Sequence, residues 1–414
     1  MSLIGRKLEF LGQLPVALFL ADIYIVITVL LNAYIERNAS NKFLCLFLLL
    51  GIVVTIINTK NRQRFISLLV LISLMQVFYS AFNYSATRIY LFLLFAVVFY
   101  YIFETFTSGY DEYIIKPIIY IGVFHSSLCC IEMILHYNFF LSLFNVEGFN
   151  GDSTSVYRVT GITAHPITGS VFSISVAILA LWFYGKTKYK RYVLFSILSF
   201  VATILTQTRS IYIALASTLF ALMILKKHKS GFRIHIHVFP VLVFVLLIIF
   251  LFFSFVTPES SLYSITIGRF STLLGSGSFL QRSGSISFLL HYLSGGVTLP
   301  LFLGNGFGSL IHYLNVNNIF FVSKDFFTID NQYITTIYEI GIIGCAVLLF
   351  TIFMRLISGI KVLRANSIST LRMVGTPTAM CIVLLLLAFF FECYDKPIVL
   401  CMQMLAFAFA DSSK

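Results

Sequence analysis

Long apolar runs recur along the whole chain, and each is about as long as an α-helix must be to cross the hydrocarbon core of a membrane. They are continuous stretches of Leu, Ile, Phe and Val, whereas the strands of a membrane barrel are short and alternate between apolar and polar residues. Only 11% of the residues are charged, compared with roughly 25% in a water-soluble domain. The sequence therefore predicts an all-α polytopic membrane protein and excludes soluble multidomain architectures.

About twelve transmembrane helices follow from these runs. The predicted spans are 14–35, 43–57, 65–82, 89–106, 113–135, 167–184, 192–205, 211–225, 238–255, 333–354, 373–391 and 398–410. The first run lacks a small-residue cleavage site, so we expect it to remain as a helix. The chain divides into N-terminal helices (1–136), a first external loop (137–166), central helices (167–256), a large external loop (257–332) and C-terminal helices (333–414).

The net charge of +12 is distributed unevenly between the loops. With the N-terminus inside, 18 of the 28 Lys and Arg residues fall in cytoplasmic loops. Positive residues are typically retained on that side of a membrane, so both termini are predicted to be cytoplasmic. The basic surplus is thus a topology signal, and nucleic acid is not an expected partner.

The large external loop is long enough to be functional. It contains a Gly/Ser stretch, a mixed apolar run and the Gly-rich sequence 303–308, and it has the composition of a folded segment. We expect one or two short helices at the membrane surface there. The Gly-rich sequence superficially resembles a dinucleotide-binding loop, but it lies in no βαβ unit, so we interpret it as a turn.

Positive residues are disfavoured on the predicted external side, and four of the arginines there are candidate ligand residues: Arg158, Arg209, Arg269 and Arg282. A guanidinium group is always charged and presents a planar set of donors that binds phosphate with two hydrogen bonds. A cluster of such groups is typical of a diphosphate site. The alternative is pairing with lipid headgroups or acidic residues, which is less favoured for Arg209 because its short turn keeps it at membrane depth.

The sequence Asp330-Asn331-Gln332-Tyr333 opens the tenth predicted span. A carboxylate at this position either caps the helix or serves as a general base for an incoming hydroxyl group. His165, which precedes a proline at the start of the sixth predicted span, is a second candidate base or a capped turn.

A transporter is the main alternative to an enzyme. Five charged residues fall within predicted spans: Asp22, Glu104, Lys116, Glu132 and Glu339. Charges at that depth can form a proton or ion relay. However, Glu104, Lys116 and Glu132 lie near span ends, where long side chains can reach the interface. The halves of the chain show no convincing internal repeat, and we found no nucleotide-binding or metal-ligand motif, so no cofactor or metal is expected.

Taken together, these segments resemble the O-antigen polymerase and ligase superfamily of Gram-negative inner membranes. The matching pieces cover about a third of the chain, in the order that family shows: Arg158 to Pro166, the turn at Arg209, the Arg282 segment with 303–308, and Asp330 to Tyr333 followed by Glu339, Gly341 and Gly344. The resemblance implies a GT-C type fold with one large periplasmic loop. It also implies an undecaprenyl-diphosphate-linked oligosaccharide as substrate.

The resemblance favours polymerase over ligase, because ligases usually have His-Asn where this chain has Asp330-Asn331. It implies that Arg209 and Arg282 hold the diphosphate and that Asp330 orients or deprotonates the acceptor hydroxyl. Arg158, His165, Arg269, Asn331 and Tyr333 are further candidate substrate-binding residues. Membrane lipid and a chain-length regulator protein are implied partners. An O-antigen ligase and a flippase for lipid-linked sugar remain alternatives.

Overall fold

The computed structural model describes residues 18–37, 41–58, 62–80, 87–107, 111–148, 157–226, 277–296, 298–319, 329–365, 380–388, 391–392 and 396–412. Within these residues the chain is all helical, with no strands, which confirms the predicted all-α class. In chain order the helices are α1 (Leu18–Leu30), α2 (Asn32–Arg37), α3 (Asn41–Asn58), α4 (Arg62–Ser80), α5 (Thr87–Thr107), α6 (Asp111–Leu135), α7 (Phe139–Leu143), α8 (Pro166–Thr187), α9 (Arg191–Leu205), α10 (Arg209–Lys226), α11 (Gly277–Ser294), α12 (Leu299–Leu303), α13 (Ser309–Val316), α14 (Gln332–Ala365), α15 (380–387) and α16 (Pro397–Ser412).

Three helices of the described residues are long and apolar enough to cross a membrane: Glu112–Leu135 in α6, Pro166–Thr187 in α8 and Gln332–Ser358 in α14. The apolar part of α14 is only 17% buried within the protein, and Val347 and Phe350 on it are exposed. So large an uncovered apolar surface is expected where a helix contacts lipid. These helices are those of an all-α membrane protein.

Helices also occupy the described parts of the other predicted spans, although several of them are shorter. The ninth predicted span, 238–255, lies outside the described residues, as does Arg269. The large loop contains α11, α12 and α13 in its described part, whereas the sequence predicted one or two short helices there. The extra helix follows from Pro300 near the start of α12 and the Gly-rich turn that separates it from α13.

The core is formed mainly by α5, α8 and α16. Phe95, Phe99 and Phe103 recur every four residues along one face of α5 and are fully buried. α16 packs on α5 and also contacts α8, which packs against α9 and α6. α8 has 22 residues and is about 33 Å long. At its far end Lys186 pairs with Glu112 of α6 at 3.3 Å.

α14 is broken at Gly341, whose φ of 74° and ψ of 174° are not helical. The break accommodates the backbone that follows α12: a Cβ atom on Gly341 would overlap the Phe302 carbonyl, and one on Gly304 would overlap the Glu339 carbonyl. The amides of Asn305 and Gly306 donate to the carbonyls released at the break, those of Tyr338 (3.0 Å) and Glu339 (2.9 Å). The Gly-rich segment is therefore a turn, as the sequence predicted. It is docked on a broken helix, which the sequence did not predict, and it holds α11 to α13 on α14.

Candidate functional site

Four helices, α8, α10, α14 and α16, contact one another in a closed cycle. Thr208, just before α10, contacts the Pro166 carbonyl of α8 at 3.5 Å, and the amide of Gln332 in α14 donates to the Ala388 carbonyl at 2.9 Å. The start of a helix presents unpaired N–H groups and the positive end of the helix dipole, so this arrangement favours an anion. We call the end of the molecule where these four helices start the site end.

Arg209, Arg282 and Asp330, the three predicted catalytic residues, come together at the site end. The Ser285 hydroxyl, one turn after Arg282 on α11, donates to the Ile329 carbonyl at 2.6 Å, which places α11 beside Asp330. Burial lowers the pKa of Arg282, the Asp330 carboxylate opposes this shift, and the Arg209 guanidinium adds to it. The two positive charges and the carboxylate are thus close enough to act on one another.

Asn331 caps α14, and Asp330 lies outside the helix with a φ of 51°. The Asn331 Oδ1 atom accepts hydrogen bonds from the amides of Tyr333 (3.0 Å) and Ile334 (3.2 Å). The Tyr333 hydroxyl donates to the Leu385 carbonyl at 2.7 Å and so fixes α14 to α15. In this structure Asn331 and Tyr333 hold the start of α14 in place, and the cap leaves the Asp330 carboxylate for other interactions.

Arg158 contacts the turn that carries Arg209. Its Nε atom donates to the Thr206 carbonyl at 3.2 Å, and its Nη2 atom donates to the Thr208 hydroxyl at 3.3 Å. The Gln207 side chain donates to the Tyr157 carbonyl at 3.0 Å and closes the connection from the other side. These contacts hold the turn that carries Arg209, and the predicted binding of substrate by Arg158 stays a prediction.

Glu132 on α6 anchors the segment 157–165, which we call the anchored segment. Only 2% of Glu132 is exposed, so its carboxylate is buried within the protein. Its carboxylate accepts hydrogen bonds from the amides of Thr160 and Gly161, the Thr160 and Tyr157 hydroxyls and the Asn138 amide group. Burial and the neighbouring Glu132 charge raise the pKa of Tyr157, so the phenol remains a donor. Glu132 is therefore a scaffold residue.

His125 fixes the same segment from a second side. Its Nδ1 atom accepts from the Ile162 amide at 3.1 Å, and its Nε2 atom lies 3.0 Å from the Ser173 hydroxyl. Gly161, with a φ of 59°, is packed directly against the His125 ring, where a Cβ atom would overlap it. The sequence could not predict this contact, because α6 and the anchored segment are distant in the chain.

His165 ends the anchored segment and caps α8. Its Nδ1 atom accepts from the Ile167 amide at 3.2 Å, so in the neutral ring the hydrogen is on Nε2. The ring stacks on Phe391, with 5.2 Å between the ring centres. The structure thus shows His165 as the capped turn, with Nε2 as a hydrogen-bond donor in the neutral ring.

Two glutamates complete the site end. Glu339 is 4% exposed and accepts hydrogen bonds from the amides of Gly308 and Leu310 at the start of α13, while its Oε1 atom has no hydrogen-bond partner among the described residues. The charge of Glu392 acts on Glu339, and the Thr335 hydroxyl donates to the Glu392 Oε1 atom at 2.7 Å. Glu392 was not singled out from the sequence. It lies between the last two predicted spans, so attention to external charges could have identified it.

The site end can bind an anion and move a proton. Two guanidinium groups and the nearby helix starts supply positive potential, the Asp330 carboxylate acts on Arg282, and Glu392 is held at the first turn of α14. An apolar hollow of about 350 Å³, lined by Leu349, Phe353 and Leu385, lies farther along α14 and contains none of these residues. No known family model matches the chain, and no curated protein is significantly similar to it.

Proposed function

We propose that the chain is an O-antigen polymerase, a glycosyltransferase that joins oligosaccharide repeat units carried on undecaprenyl diphosphate. It acts at the periplasmic face of the bacterial inner membrane, as a multi-pass protein of about twelve spans with a GT-C type arrangement and cytoplasmic termini. The observation that carries the proposal is the meeting of Arg209, Arg282 and Asp330 at the site end.

Electrostatics support a diphosphate ligand. Arg209 adds to the lowering of the pKa of the partly buried Arg282, which means that the two positive charges repel. An anion with several oxygen atoms relieves such repulsion and can accept two hydrogen bonds from each guanidinium group. The helix starts around the site add to the same potential. A diphosphate headgroup fits this combination better than a single carboxylate does.

The proposed reaction transfers a growing glycan from its lipid carrier to a new repeat unit. The hydroxyl of the acceptor unit attacks the anomeric carbon of the donor, and the bond from that carbon to the diphosphate oxygen breaks. Arg209 and Arg282 stabilise the negative charge that develops on the departing undecaprenyl diphosphate. Asp330 orients Arg282 and the acceptor sugar. His165 supplies a further hydrogen-bond donor.

Both substrates have polyprenyl tails that remain in the bilayer, so the site requires an opening to membrane lipid. The exposed apolar surface of α14 begins directly after the break at Gly341, close to the site end, and is a suitable place for such tails. A chain-length regulator protein is a further proposed partner, on the resemblance alone.

The experiment is complementation of cells whose own copy of this gene is deleted. Arg282→Ala and Arg209→Ala are each expected to lower glycan transfer by about 10²- to 10³-fold, since each removes a donor to developing charge. The lipopolysaccharide ladder is lost, and a single repeat unit remains on lipid A core. Arg191→Ala is the matched control, because Arg191 lies beyond the far end of α8 and stacks on Tyr189 and Tyr192. An unchanged ladder removes both arginines from the mechanism.

The same experiment separates the alternatives. A ligase variant leaves lipid A core with no repeat unit at all, while long polymer accumulates on undecaprenyl diphosphate. A flippase variant leaves the repeat units on their carrier at the cytoplasmic face, where an enzyme added outside cannot reach them. Either pattern, found with the arginine variants, would replace the proposed function.

A further inference from the structure

The proposed reaction requires a group that accepts the proton of the acceptor hydroxyl. Asp330 and His165 are the candidates that the sequence suggests. The Asp330 carboxylate interacts with the Arg282 guanidinium group, so it is engaged with the positive charges of the site. His165 uses Nδ1 to cap α8, which leaves a hydrogen on Nε2 of the neutral ring. Neither is placed as an effective proton acceptor.

Glu392 has the geometry that these two lack. Its Oε1 atom accepts a hydrogen bond from the Thr335 hydroxyl at 2.7 Å, a neutral partner that holds the carboxylate at the first turn of α14. Phe391, the preceding residue, stacks on His165, so this segment lies between the starts of α8 and α14. The Nζ atom of Lys396, just before α16, lies 5.9 Å from the centre of the Phe391 ring, so the start of α16 lies at this segment as well.

Thr335 places Glu392 near the start of α14. It lies four residues after Asn331, or roughly 6 Å along the helix axis. The Glu392 carboxylate is therefore held about one helical turn from Asn331, the residue that follows Asp330.

We propose that Glu392 is the general base of the glycan transfer, an inference that rests on the function proposed above. The Glu392 carboxylate takes the proton from the acceptor hydroxyl as that oxygen forms its bond to the donor anomeric carbon. The bond between that carbon and the diphosphate oxygen breaks, and its electron pair leaves on undecaprenyl diphosphate. The protonated Glu392 then loses its proton to water. Thr335 is a positioning residue, because it acts through Glu392.

The test uses purified full-length protein in lipid nanodiscs. The probe is lipid-linked repeat units extracted from cells in which this gene is deleted. Polymer length and released undecaprenyl diphosphate are both measured. Glu392→Gln keeps an oxygen that accepts from Thr335 but cannot take a proton, so we expect kcat to fall by about 10²-fold or more while KM changes little. Glu392→Asp retains a carboxylate and is expected to recover part of the rate.

Binding of undecaprenyl diphosphate, followed by the thermal shift of the protein, distinguishes a catalytic from a structural role. Glu392→Gln is expected to bind it as the wild type does. Glu112→Gln is the matched control, because Glu112 lies at the far end of α8 and pairs there with Lys186. The proposal is overturned if Glu392→Gln retains transfer near the wild-type rate, or if it loses both binding and thermal stability.

The two proposals fail in different ways. If the arginine variants lose transfer while Glu392→Gln keeps it, the polymerase function stands and the base must be another group. If the wild-type protein neither forms polymer nor releases undecaprenyl diphosphate, the polymerase function fails and the role of Glu392 fails with it.

Discussion

The anchored segment and the charged group formed by Arg209, Arg282 and Asp330 are neighbours at the site end, but they are stabilised differently. In the anchored segment one buried carboxylate, Glu132, is surrounded by amides, hydroxyls and an amide side chain that all donate to it. In the charged group the two positive charges repel each other, and the Asp330 carboxylate acts on Arg282. In the anchored segment the buried charge is fully satisfied by protein donors. In the charged group a bound anion would reduce the repulsion and so stabilise the arrangement.

This difference separates two arginines that the sequence places in the same class. Arg158 donates to the oxygen atoms of Thr206 and Thr208 and thereby holds a turn. Arg282 lies against other charges on a helix of the large loop. Retention of an external arginine can thus have a structural or a ligand-binding cause, and the partners of the guanidinium group distinguish the two.

The largest expected effect is on the anchored segment. Glu132→Ala leaves several buried donors without an acceptor, and we expect the free energy of unfolding to fall by about 4 kcal/mol. Thermal and denaturant unfolding of the purified protein measure it. The control is Glu112→Ala, which breaks a partly exposed ion pair and should change stability by less than about 1 kcal/mol. Equal effects of the two variants would show that the anchored segment is not a scaffold.

A second prediction concerns the contact between the turn after α12 and the break in α14, which holds the helices of the large loop, including the one that carries Arg282. Gly341→Ala is expected to lower the free energy of unfolding by about 3 kcal/mol, because its φ is positive and a Cβ atom overlaps the Phe302 carbonyl. The variant should also expose α11 to α13 to limited proteolysis and reduce transfer, while the anchored segment stays protected. Gly295→Ala is the control, since a Cβ atom there meets only ordinary contact. If proteolysis is unchanged in Gly341→Ala, the contact at Gly341 does not hold α11 to α13 in place.

Much of the fold is predictable because membrane burial acts on each helix separately. A long apolar run must form a helix in lipid, whichever neighbours it has. The same independence explains why Arg209, Arg282 and Asp330 could be selected from the sequence, since charges outside apolar runs stand out individually. Their catalytic roles stay predictions.

What the sequence could not predict depends on partners far away in the chain. Glu132 looks like any glutamate near a span end until the segment that donates to it is placed beside it. Asn331 and Asp330 are equally good caps by residue type, and only the backbone at Asp330 decides that Asn331 takes the role. The break at Gly341 needs the docked turn after α12, which the sequence places some 40 residues earlier.

A third prediction tests the separation of the two arginines. Arg158→Ala removes two hydrogen bonds to the turn before Arg209, so the free energy of unfolding should fall by about 2 kcal/mol. Binding of undecaprenyl diphosphate to this variant should depend on salt as it does in the wild type. Arg282→Ala should weaken binding and flatten its dependence on salt, because a phosphate contact is lost. If the salt dependence of binding is flattened in Arg158→Ala as well, Arg158 contacts the ligand directly.

The smallest expected effect is at His165, where the anchored segment meets the site. His165→Ala removes the cap of α8 and should lower the free energy of unfolding by about 1 kcal/mol, whereas His165→Asn restores an acceptor for the Ile167 amide and should be nearly neutral. Both variants lose the Nε2 donor and the stack on Phe391, so both should lower the transfer rate by a similar, modest factor. Full transfer activity in His165→Asn would show that His165 has only a structural role. The whole anchored segment, up to Pro166, would then be scaffold, and none of its side chains would act on the substrate.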